Sequence, residues 1–164
     1  MSIVGLEHLP RLPYARRKLQ AEQLVRSSNV RWSIVRATGF YWLLEHMFAN
    51  MVKKPVLALP ARVRFAAVDS DEFAEFIIAC MADGGSGERQ DFAGPQTLTL
   101  IELMEQYLGA RAQPRRVRHA PLPRRLQEAL TAGNTSPDAA LGQTTWAEWL
   151  QRSSASTRAA GPAA

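Results

Sequence analysis

Tyr14 and Lys18 stand one helical turn apart in the stretch Tyr14-Ala15-Arg16-Arg17-Lys18, downstream of Ser2. On a helix, residues at i and i+4 share a face, which Ala21 and Val25 would continue, so the phenol and the ammonium are expected on the side that packs against the fold. A free phenol with a pKa near ~10 is protonated at neutral pH, and a neighbouring cation favours its phenolate. A fall of about three units would need roughly 4 kcal/mol of differential stabilisation. Such a pair could relay a proton to or from a carbonyl or alcohol. The same spacing also occurs on surface helices, where the ring packs and the ammonium is solvated.

The elements around this pair are legible in order. Ser2 to Gly5 reads as a short buried strand, Leu6 to Pro13 as a loop kept out of helix by Pro10 and Pro13, and Tyr14 to about Ser28 as a helix. Val30 to Arg36, rich in β-branched and aromatic residues, completes a strand-helix-strand unit with parallel neighbours. Gly39 breaks that strand at its carboxyl end, the edge where open α/β sheets bind ligands. Thr38, Gly39 and Phe40 are therefore expected beside the same crevice as Tyr14.

Further along, Phe40 to Lys53 reads as a buried or pocket-lining helix, followed by extended runs at Val56 to Leu59 and Val63 to Val68. Three helix starts carry the capping-box spacing: Asp69 with Glu72, Thr99 with Glu102, and Thr145 with Glu148. Gly84-Gly85-Ser86-Gly87 follows a helix and leads into a strand at Arg89 to Ala93, so it reads as a connection and not as a phosphate loop. A helix from Thr99 to Gly109, an edge strand around Arg116 to Leu122 and a helix from about Pro123 to Ala132 come next. From Ser153 onward the residues are small and polar, and a disordered tail is expected over 153–164.

The 164 residues, 46% hydrophobic and 21% charged, suit a globular domain, and no apolar run approaches a membrane span or a leader segment. The default location is cytoplasmic. Cys80 is the only cysteine, which excludes an internal disulfide, and its apolar surroundings suggest a buried thiol. His8, His46 and His119 are scattered with no carboxylate at ligand spacing, so no metal site is expected. The net charge of +5 is concentrated between Arg111 and Arg125. That segment has three prolines and no aromatic residue for base stacking, so a solvated sheet edge is expected rather than a nucleic-acid surface.

Taken together, Ser2-Ile3-Val4-Gly5, Tyr14-x-x-x-Lys18, Trp32 through Phe40, Val68-Asp69, Gly94-Pro95 with Leu98-Thr99, and Gly142-x-x-Thr145-Trp146-x-x-Trp149-Leu150 resemble the C-terminal part of the NmrA-like, atypical short-chain dehydrogenases/reductases. The resemblance extends to about Arg152. It implies an α/β fold: the C-terminal part of a Rossmann-like parallel sheet (1–39) with a small α+β substrate-binding cap (40–152). It further implies that Tyr14 is the proton donor or acceptor, that Lys18 holds the nicotinamide ribose and lowers the Tyr14 pKa, and that Ser2 hydrogen-bonds the substrate carbonyl. Ala37, Thr38, Gly39 and Phe40 would line the nicotinamide side of an NAD(P)H site, where the cofactor supplies the hydride.

The resemblance starts at Met1-Ser2, in the middle of such proteins. The glycine-rich strand, turn and helix that seat the pyrophosphate have no counterpart in the sequence. The N-terminal dinucleotide-binding βαβ unit is thus expected to be absent, leaving a truncated oxidoreductase unable to bind the cofactor alone, with an exposed first strand through which it could form a homo-oligomer. The substrate would be a small carbonyl or quinone-like molecule. Two alternatives are a non-catalytic dinucleotide-sensing protein that regulates a partner, and a fragment with no small-molecule function.

Overall fold

The computed structural model of the chain describes residues 1–82, 84 and 86–159. Its centre is a four-stranded sheet, every pairing in it parallel, in the order β1 (Ser2–Ile3), β2 (Ile34–Ala37), β5 (Arg89–Ala93) and β8 (Ala140–Leu141). A turn of 3-10 helix at Leu6–His8 and then α1 (Pro13–Arg26) carry the chain from β1 to its neighbour β2, giving the expected strand-helix-strand unit. β2 begins later than expected, at Ile34, because Val30 is 70% exposed and outside the sheet.

All four residues of β2 are buried, as befits an inner parallel strand covered on both faces. The pleat sends Val35 and Ala37 to one side, where α3 (Ser70–Ala82) packs Phe73 and Cys80 against them together with Phe92. The buried Cys80 thiol donates to Gln90 Oε1 at 2.8 Å. Arg36 goes to the other side, beneath α1.

A larger cluster lies between α2 (Tyr41–Met51), α4 (Leu100–Ala110) and α6 (Trp146–Ala159), around Phe48, Leu103, Met104, Tyr107, Trp146 and Leu150. It is flanked by two small pairings, β3 (Leu57–Leu59) with β7 (Val117–His119) in parallel, and β4 (Arg64–Phe65) with β6 (Leu98–Thr99) antiparallel. The basic segment forms the expected strand at β7. Arg111 pairs with Glu45, Arg115 donates to the carbonyls of Val52, Lys54 and Pro55, and Arg124, at the start of α5 (Arg124–Ala132), pairs with Glu128.

Two of the three capping boxes form: Thr99 with Glu102, and Thr145 with Glu148. The third does not. Asp69 Oδ1 accepts the Asp71 N–H at 3.1 Å, while the Glu72 carboxylate takes the N–H groups of Gln143 and Thr144 and the Thr144 hydroxyl, at 2.6 to 2.9 Å. Glu72→Gln keeps the size and loses the charge on these bonds; a loss of about 1–3 kcal/mol in chemical denaturation is expected.

The tail expected from Ser153 is helix as far as Ala159; residues 160–164 lie outside the described residues, as do Asp83 and Gly85 of the glycine connection. Polar contacts continue the helix where apolar bulk runs out. Ser154 is buried and donates to Leu150 O at 2.7 Å, Arg111 reaches Ser154 Oγ at 3.1 Å, and Ser153 donates to Glu45 at 3.1 Å.

Gly94, just past β5, donates its N–H to Ala66 O at 2.9 Å, and a Cβ there would overlap the carbonyl of Ala67. Gly94→Ala must push two backbone segments apart, and a loss of about 2–3 kcal/mol is expected in urea unfolding.

Candidate functional site

α1 does not present the face expected of it. Its buried residues are Ala15 and Glu22, with Lys18 half-buried between them, whereas Tyr14 is 58% exposed and Val25 40%. The reason lies across the interface. Arg36 is 1% exposed and needs an anion, and Glu22 supplies it through two bonds, Nε to Oε1 at 2.7 Å and Nη2 to Oε2 at 2.5 Å. Glu7 completes the cluster, accepting from Arg36 Nη1 at 2.7 Å. Turning Glu22 inward carries Tyr14 toward solvent.

Burial alone would raise the Glu22 carboxyl, but the Arg36 hydrogen bonds, the Ser2 hydroxyl and the charges of Arg36 and Arg26 outweigh it and hold it below the usual carboxylate range. At Glu7 burial likewise opposes, and a backbone hydrogen bond, the Arg36 hydrogen bond and charge, and the charge of Arg89 together outweigh it and lower the carboxyl. Ser2, 4% exposed, lies beneath α1, and its Oγ has no hydrogen bond of good geometry among the described residues. Ser2, Lys18 and Glu22 share a small cavity of about 110 Å³ with Ser33 and Ile34. The structure thus brings Ser2 and Lys18 together and leaves Tyr14 outside their cavity.

Residues 37–40 occupy the carboxyl end of β2 as expected, and they are stitched to their surroundings. Thr38 N–H donates to Phe92 O at 3.1 Å and its hydroxyl to Ala66 O, while Gly39 O accepts from Val68 N at 2.8 Å. Ala37 and Thr38 are buried, and Gly39 and Phe40 are half-buried. Phe40 stacks on Trp42 with centroids 6.5 Å apart.

The tyrosine that the fold does perturb is Tyr41. Burial first, then the charges of Glu72, Asp69 and Glu148, push its pKa well above the ordinary phenol value, and its hydroxyl donates to Thr144 O at 2.9 Å. It is a fixed donor at every physiological pH.

A cavity of about 840 Å³ opens between the turn after β1, the β3–β4 connection and α5. Gly5, at φ 68°, lets this turn pass against the α5 carboxyl end, where a Cβ would strike Ala132 and Gly133. His8, Arg62, Arg64, Arg124, Glu128 and Thr131 border the opening. The sequence reading missed these residues. The signal was there in Arg62-Val63-Arg64-Phe65, whose period-2 alternation buries Val63 and leaves both arginines exposed.

No protein-family model matches the chain, and no curated protein matches it. Solved structures do. A nucleoside-diphosphate-sugar epimerase from Staphylococcus aureus superposes with a TM-score of 0.61 at 17% identity, over 84% of this chain and 58% of its own. The fold is shared with a little more than half of this epimerase.

RMD from Pseudomonas aeruginosa, complexed with NADPH, gives 0.57 at 18% identity, over 85% of this chain and 53% of its own. UDP-glucose-4-epimerase from Stenotrophomonas maltophila, with bound NAD and formylated UDP-arabinopyranose, gives 0.54 at 11% identity, over 88% and 56%. The chain therefore spans a little more than half the length of the structures it resembles. Among the described residues no three His, Cys, Asp or Glu side chains are grouped to hold a metal ion, and no helix is long and apolar enough to cross a membrane.

Proposed function

We propose that the chain is the acid-base and substrate-binding portion of an NAD(P)-dependent oxidoreductase of the NmrA-like, short-chain dehydrogenase/reductase kind. The observation that carries the reading is the parallel β1–α1–β2 unit, with Tyr14 and Lys18 on α1, in a fold shared with proteins solved with NADPH and with NAD. The residues present fit one end of a dinucleotide: half-buried Lys18 and the β2 terminus from Ala37 to Phe40 suit a nicotinamide ribose. They do not fit the other end, since the sequence has no glycine-rich turn between strand and helix to receive the pyrophosphate. When bound, the cofactor would supply the hydride. Tyr14 would hold the proton to be exchanged with a small carbonyl or quinone-like substrate, and Lys18 would bias that proton by its charge.

The pyrophosphate would then be held by further strands paired along the outer edge of β1, which has one strand neighbour among the described residues. Without them, the chain should show no saturable change in NADPH or NADH fluorescence; saturation would refute this division of labour. In a longer form that reduces a carbonyl, Tyr14→Phe should cut kcat about 100-fold with the KM for the cofactor unchanged. Unchanged turnover would remove Tyr14 from the chemistry.

The exposure of Tyr14 outside the Ser2–Lys18 cavity favours a second reading, a dinucleotide-sensing protein with no turnover. That reading expects dinucleotide binding by the longer form with no product. In the absence of further strands, we propose that a second copy of the chain pairs at the β1 edge, visible in light scattering as a concentration-dependent dimer.

A further inference from the structure

The arginines around the 840 Å³ opening are not equivalent. Arg124 is taken by Glu128, its Nε 2.7 Å from Oε1. Arg62 and Arg64 have no carboxylate within ion-pair distance among the described residues, as is true of Arg116 and Arg118 on the exposed surface around β7, but only the first two border a cavity of this size. The charge of Arg64 does reach Glu102, but that carboxylate already accepts the Thr99 N–H and hydroxyl in its capping box. The opening is therefore bordered by two guanidinium groups with no ion-pair partner among the described residues, both exposed while Val63 between them is buried.

Other groups at the rim have donors to spare. Thr131 Oγ1 accepts the Arg64 backbone N–H at 3.2 Å, which leaves its own O–H to be given away. His8 stands at the same rim on the turn after β1. Guanidinium groups match the oxygen pairs of carboxylate and phosphoryl groups, each accepting two parallel N–H bonds. The cavity is of the size that takes a small metabolite.

We propose that this crevice binds a small dianion, a molecule whose phosphoryl or carboxylate groups are gripped by Arg62 and Arg64 with Thr131 and His8 at the rim. This deepens the reading above by taking the crevice as the substrate's seat, so the substrate would be an acid or a phosphate ester.

The test reads binding alone, with no dinucleotide and no turnover, so its failure is distinguishable from a failure of the redox reading. The chain is titrated by calorimetry with pyrophosphate and, separately, with citrate, at constant ionic strength. Saturable binding of one equivalent is expected for at least one of them, and the tighter of the two says whether phosphoryl or carboxylate is preferred. Arg62→Ala with Arg64→Ala should weaken it at least tenfold, and the paired lysine replacements should restore it only in part. Arg116→Ala with Arg118→Ala removes the same charge from the exposed surface around β7 and should leave binding within twofold. Absence of saturation with both anions, or equal weakening by the two double variants, overturns the proposal. Circular dichroism of each variant checks that the exposed substitutions leave the fold intact.

Discussion

Arg36→Met should cost about 3–5 kcal/mol of stability, because it strands the buried Glu22 carboxylate without its cation. Glu22→Gln should cost less, because the buried Arg36 keeps Glu7 as an anion at 2.7 Å. The double variant should be milder than the sum of the two, since a neutral pair leaves no uncompensated charge; strict additivity in urea unfolding would show that the two groups are not coupled.

The pH dependence has a definite sign. Glu22 and Glu7 have folded pKa values below the ordinary carboxylate value of 4.5, so their contribution is complete above that value and is lost as pH falls through the depressed folded values. Without Arg36, burial dominates at Glu22 and its carboxyl rises instead, so protonation relieves the variant. The stability gap between wild type and Arg36→Met should therefore narrow on acidification below about pH 5. A gap that widens would refute the assignment of that pH dependence to this pair.

Trp146→Ala should be as damaging, at about 3–5 kcal/mol. The indole is fully buried, with Trp149 stacked on it at 5.5 Å and Tyr41 at 5.3 Å, and its Nε1–H donates to Leu103 O at 3.0 Å. Removing it hollows the junction of α2, α4 and α6. Trp146→Phe separates the contributions, because it keeps much of the volume while the Leu103 carbonyl loses its donor, for about 1–3 kcal/mol. A fall in the urea midpoint that is the same for both variants would mean that the hydrogen bond, and not the packing, anchors α6.

These residues also show what could be read from the chain beforehand. Local signals survived: Thr99 with Glu102 and Thr145 with Glu148 cap their helices because partners three residues apart meet whatever the rest of the fold does. Asp69 and Glu72 have the same spacing, yet Glu72 is claimed by donors some seventy residues away in sequence. The face of α1 was misassigned for the same kind of reason, since the Tyr14–Lys18 stripe and the Ala15–Glu22 stripe differ by a small rotation and only Arg36, on another element, chooses between them. Strands β6 and β8 are two residues each and too short to show a period. The helix beyond Arg152 depends on Glu45 and Arg111, which no count of apolar residues includes. Ala37 to Phe40 fell where the strand-then-glycine pattern put them, because the end of a parallel strand is set by its own residues.

The Glu72 carboxylate ties the first turn of α3, which covers the sheet, to the segment that launches α6 into the helical cluster, and the Tyr41 hydroxyl seals the same segment from α2. Neither cluster can come apart while that knot holds. The amide protons of Gln143 and Thr144 should accordingly exchange with deuterium only as slowly as the slowest amides of the sheet and of α4, and the molecule should melt in a single calorimetric transition, with no temperature at which one half has dissolved and the other persists.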